Sequence, residues 1–163
     1  MTDNVQKGFF IELLEIIKLV TIFAIRKISF QSYLFFSAFL TLGLGDGVTS
    51  ATMMEKLGAN AEINPLMSLV FLEHGFGGMV AAKIWLTLLL LFAVYVVQLR
   101  SKGRAFWTVN GFLIALTAGG ILAINANLSA IEGSVPAPPG EIIATYLTLA
   151  LLLTEAGSYI DTH

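Results

Sequence analysis

The chain has 163 residues, of which 56% are hydrophobic and only 12% charged, and its mean hydropathy is +0.83. A soluble domain carries about 25% charged residues, and here the charges gather in short segments between long apolar runs, which describes one integral membrane domain. A net charge of −2 offers no footprint for nucleic acid, and the lack of cysteine excludes disulfides, thiolate metal sites and cysteine nucleophiles.

Residues 5–27 form the first unit. Glu12, Glu15, Lys18 and Arg26 fall within one arc of a helical wheel, while Phe9, Ile11, Leu13, Leu14, Ile17 and Val20 cover the rest. This pattern predicts an N-terminal amphipathic helix lying at the membrane interface; a fifth span resting against partner subunits is the alternative. The same charges interrupt what would be the apolar core of a signal peptide, so the start is expected to be retained.

Four transmembrane helices are expected next, over residues 33–54, 76–98, 105–128 and 141–160. Each has roughly the 20 residues that cross a ~30 Å hydrocarbon core at ~1.5 Å per residue. The fold class is therefore all-α, a four-transmembrane-helix bundle behind an interfacial helix. Arg26 and Lys27 precede the first span, and Arg100, Lys102 and Arg104 fill the turn between the second and third. Of lysines and arginines the other two connections carry only Lys56, so both termini are expected on the cytoplasmic side of a multi-pass cell-membrane protein.

Of the outer connections, residues 55–75 read as a turn followed by a short helix. Asn64 is a good N-cap and Pro65 a good first helical residue, while Gly75, Gly77 and Gly78 end that helix and start the second span. The other, residues 134–140, is stiffened by Pro136, Pro138 and Pro139 and is expected to be a surface hairpin.

Asp46 lies near the middle of the first span, where a carboxylate costs several kcal/mol unless it is paired, hydrated or neutralised. It stands ten residues before Lys56, ~15 Å below the outer boundary, and Lys83 stands seven residues after Phe76, ~10 Å below it. A lysine stem bridges that difference, so an Asp46–Lys83 pair is within reach. Thr49 and Ser50 follow on the face of Asp46, with Met53 a turn beyond and Gly43, Gly45 and Gly47 around it. Gly119 and Gly120 sit at comparable depth in the third span and permit close approach to the first, with Asn125 and Asn127 above them.

Two roles suit this constellation. It fixes helix register and packing, or it forms a polar cavity open to the outer side, where Asp46, Thr49, Lys83 and the Glu62–Asn64 turn bind an ion or small ligand. The glycines around Asp46 would also let the helix unwind locally, as the broken helices of transporters do. Glu155, near the cytoplasmic end of the last span, reads as a solvated carboxylate, and Asn110 as the donor of an ordinary interhelical hydrogen bond. His74 and His163 form no ligand-spaced pair, so no metal and no cofactor is expected, and the phosphate-loop, nucleophile-elbow and HExxH patterns are absent. Asp46-Gly47 matches the Asp-Gly of membrane alcohol-phosphotransferases, but Ala51, Gly58 and Glu62 do not supply the further aspartates those enzymes need. Asn127-Leu128-Ser129 has the form of a glycosylation sequon at the membrane edge, where it is expected to go unused.

The series Asp46-x-x-Thr49, Gly58, Glu62-x-Asn64-Pro65-Leu66 and Lys83 resembles a group of uncharacterised small archaeal and bacterial membrane proteins. In that group an Asp/Thr helix, a Glu-x-Asn-Pro turn and a membrane lysine recur. The likeness covers residues 40–90 and implies a shared polar core without a reaction. Small size and little soluble-facing surface favour a non-catalytic membrane subunit, partnered by lipid and by other membrane subunits or copies of itself. A binding or transport protein using Asp46 and Lys83 is the first rival. An enzyme acting on lipid, with Glu62 or Asp46 as base, is the second and lacks a recognisable nucleophile–base pair.

Overall fold

The computed structural model describes residues 29–163 together with Glu15 and Lys18, which are helical and exposed; the remainder of the expected 5–27 helix lies outside the described residues. The chain divides into two compact units, Met1–Tyr33 and Leu34–His163. In the first, Ser29 Oγ accepts the backbone N–H of Ser32 at 3.2 Å and so caps the helix that begins at Phe30.

The architecture is all-helical. Four helices are long and apolar enough to cross a membrane: α1, Phe30–Leu57; α2, Pro65–Arg100; α3, Phe106–Ile131; and α4, Pro139–Thr162. The expected spans 33–54 and 141–160 lie wholly within α1 and α4, 105–128 falls within α3 but for its first residue, and 76–98 is the second part of α2, which also takes in the short helix expected before it.

Helix α1 does not unwind at its glycines. Its middle, Phe39–Gly45, widens instead into a π-helix, whose last turn is closed by the Asp46 N–H on Thr41 O. The sequence supplies a local cause, because Thr41 Oγ1 donates back to Ser37 O at 3.0 Å, a competition with the backbone ladder that bends helices. Such wide turns concentrate at functional sites, and this one ends directly before Asp46.

Helix α2 starts as its sequence predicts. Asn64 Oδ1 accepts the Leu66 N–H at 3.0 Å with Pro65 behind it. The helix then bends at Gly75, whose φ of 64° is open to glycine and strained for other residues. Gly77 and Gly78, expected to share that break, are helical.

Helix α1 is sandwiched between α2 and α3, and α4 packs along α3. Small residues set these approaches. A Cβ on Gly120 would come within 2.7 Å of Leu42 N on α1, and one on Gly111 within 2.2 Å of Leu153 O on α4. Gly119, expected to serve the α1 contact as well, faces Tyr146 of α4 instead, because adjacent residues on a helix point about 100° apart.

Two apolar clusters flank a polar layer. Ala38, Leu91, Val94, Val109, Leu113 and Leu116 form one; Ala51, Met54, Met67 and Met79 form the other, near the Asn64 turn. Asp46 and Lys83 fall between them along both α1 and α2. The outer surfaces of α2 and α4 stay apolar and uncovered, as at Trp85, Phe92, Leu151 and Leu152.

Candidate functional site

Asp46 is buried, at 6% exposure, and each of its oxygens is engaged. Lys83 Nζ donates to Oδ2 at 2.5 Å, while Ser50 Oγ and Asn127 Nδ2 donate to Oδ1 at 3.2 and 3.0 Å. The lysine reaches across because α1 has no side chain in its way: a Cβ on Gly47 would stand 3.2 Å from the Lys83 Cβ. The pair is thus desolvated, hydrogen-bonded and matched in charge, the condition under which a low-dielectric interior tolerates ions.

Asn127 ties α3 to this centre. Its Nδ2 lies 3.0 Å from Thr49 Oγ1 and 3.0 Å from Ser50 Oγ as well as near Asp46, so two N–H groups serve three acceptors. Thr49 Oγ1 itself donates to Gly45 O at 2.9 Å, which leaves its lone pairs for Asn127. Four side chains from α1 and α3 and one from α2 therefore make a single connected network.

A cavity of about 420 Å³ opens from this network. Asp46, Ser50 and Met53 form its α1 wall, Lys83 its α2 wall, and Ala123, Ala126, Asn127 and Ala130 its α3 wall. The Ala61–Asn64 turn, the Pro136–Pro139 loop and Ile142 and Ile143 of α4 complete it. Glu62 Oε1 accepts the Asn64 N–H at 3.0 Å, which holds the carboxylate at the rim. A smaller recess of about 170 Å³, walled by Leu42, Leu86, Thr87 and Leu90, meets the same ion pair, so Asp46 and Lys83 border both spaces.

Four of the five residues singled out in the sequence, Asp46, Glu62, Asn64 and Lys83, line the larger cavity. Thr49 does not line it and enters through Asn127 alone. Asn127 carries more of the network than its sequence suggested. Its one signal was a polar residue in an apolar span, above the glycines that share the depth of Asp46; Asn125 carried the same signal and is exposed. The proline loop is exposed as expected, and it also walls the cavity.

Away from this site, Glu155 is exposed. Asn110 is buried, and the interhelical hydrogen bond expected of it is not made: neither its Oδ1 nor its Nδ2 has a partner among the described residues.

Fold and site together define an all-helical protein with four membrane-length helices and a buried acid–base pair at its centre. The chain belongs to the family described as Domain of unknown function (DUF5658), which matches residues 37–133. That stretch takes in Asp46, Thr49, Glu62, Asn64, Lys83 and Asn127 and ends before α4. No curated protein and no solved structure matches the chain.

Proposed function

We propose that this is a multi-pass membrane protein that binds a small ligand in the cavity beside Asp46 and Lys83, on the side away from the cytoplasm. The observation that carries the reading is the cavity itself. Its volume of about 420 Å³ falls in the ~300–1,000 Å³ range of small-molecule sites, and its walls are mostly apolar with a few convergent polar groups. An ion pair whose task was register alone would need no space beside it.

The subunit reading, favoured by size and composition, draws on the apolar surfaces of α2 and α4. Lipid covers such surfaces equally well, so they do not decide between partners. The lipid-enzyme reading is weakened at its proposed bases. Asp46 is held by three donors, and one oxygen of Glu62 is taken by its own turn.

The topology rests on Arg100, Lys102 and Arg104 at the α2–α3 turn, opposite the cavity mouth. Since the chain has no cysteine, single cysteines report its sidedness cleanly. With a membrane-impermeant maleimide, Ser134→Cys is expected to label in intact cells and Ser101→Cys only after permeabilisation; the reverse pattern overturns the orientation.

Binding is tested by native mass spectrometry of the purified protein. Ala126→Phe places a ring in the cavity. The wild type is expected to retain a small non-lipid molecule that this variant loses while keeping its helical circular dichroism. Identical small-molecule content in the two, or a co-purifying protein bound at this mouth, contradicts the reading.

A further inference from the structure

Resting on that reading, we infer that the cavity takes a small primary or secondary amine with an apolar body, its ammonium held at Glu62. The charge of the lining favours a cation. Asp46, Glu62 and Lys83 are the ionisable residues in the lining. Asp46 and Lys83 cancel each other through their ion pair, which leaves the Glu62 carboxylate as the net charge of the wall. An anionic ligand would have to draw Lys83 from Asp46 and would bury a further negative charge beside two carboxylates, whereas a cation completes the balance.

Hydrogen-bonding capacity points the same way. Among the described residues, Glu62 Oε2 and Asn127 Oδ1 accept no hydrogen bond, although both side chains line the cavity. These are acceptors, and acceptors select a ligand bearing N–H donors. A charge-assisted N–H on a carboxylate is the stronger kind of hydrogen bond.

The same lining discriminates among cations. A quaternary ammonium has no N–H and is held by aromatic faces, and no aromatic residue lines this cavity among the described residues. The rest of the wall is aliphatic, with Ile63, Ile142, Ile143 and Pro138 placed to cover a short hydrocarbon body. The fit is to a protonated alkylamine rather than to a choline-like group.

The experiment measures binding of four probes of one chain length to the full-length protein in detergent: hexylamine, hexyltrimethylammonium, hexanoate and hexanol. Calorimetry on the wild type is referenced to Ala126→Phe, so that partition into the micelle cancels. Hexylamine is expected to bind at least about tenfold more tightly than the other three, and Glu62→Gln to remove that margin with its helical circular dichroism unchanged. Glutamine keeps an oxygen for the Asn64 N–H, so the turn survives the substitution. Hexanoate or hexanol binding as tightly as hexylamine overturns the amine assignment and leaves the cavity as a ligand site, and so does a Glu62→Gln variant that binds hexylamine normally. Failure of all four probes to distinguish wild type from Ala126→Phe overturns the amine assignment and the cavity reading together.

Discussion

Asp46 and Lys83 depend on each other more than either depends on its surroundings. Removing one charge leaves the other buried without its counter-ion, a change that costs about 3–5 kcal/mol, whereas replacing both with apolar residues of similar size is often neutral. Asp46→Leu and Lys83→Met are each expected to lower the thermal midpoint in detergent steeply, and the double variant to recover most of that loss. A double variant as unstable as the singles would show that the network beyond the pair, through Ser50 and Asn127, sets the stability. The pair was legible in the sequence, since two charges in adjacent apolar spans can be placed by helical rise alone. Asn127 was not, because depth says nothing about which way a side chain points: Asn125, two residues earlier, is at similar depth and faces outward.

At the level of elements, glycine decides how closely the helices meet. Gly157 is the one buried residue of α4, and a Cβ there would stand 2.3 Å from the Trp107 carbonyl oxygen. Backbone cannot yield as a side chain does, so Gly157→Val is expected to pry α4 from α3 and to destabilise the protein by several kcal/mol, in the range of severe packing faults. Unfolding followed by circular dichroism checks it; a midpoint within a degree or two of wild type would mean that α4 shifts along α3 at little cost. That contact also aligns Asp161, whose carboxylate accepts the N–H groups of Trp107 and Thr108 at 2.9 and 2.8 Å. The last turn of α4 therefore caps the start of α3, which carries no side-chain cap of its own. The helices themselves were readable as long apolar runs, and Asn64-Pro65 marked the start of α2. The π-helical turn was not readable, because glycines near a carboxylate permit several departures from the α-helix and the sequence does not choose among them. Three prolines likewise announce a stiff loop without giving the direction in which it leans.

Across the whole molecule, two apolar clusters enclose one polar layer, and the cavity leads from that layer to the end of the bundle that carries the Asn64 turn and the proline loop. Composition foretold the all-helical, membrane-length architecture because twenty apolar residues have few other uses. It could not decide whether the polar cluster borders open space or is packed shut, which depends on how far α3 stands from α1 beyond their contact at Gly120. The alanines at 123, 126 and 130 leave that gap open. Long side chains there would have closed it. If the gap holds a ligand, a density map of the protein purified from its own membrane shows it. A compact non-lipid molecule is expected between Glu62 and the Asp46–Lys83 pair, with the ion pair intact. A cavity collapsed by inward movement of residues 132–138, or filled by a side chain from another protein, would contradict it.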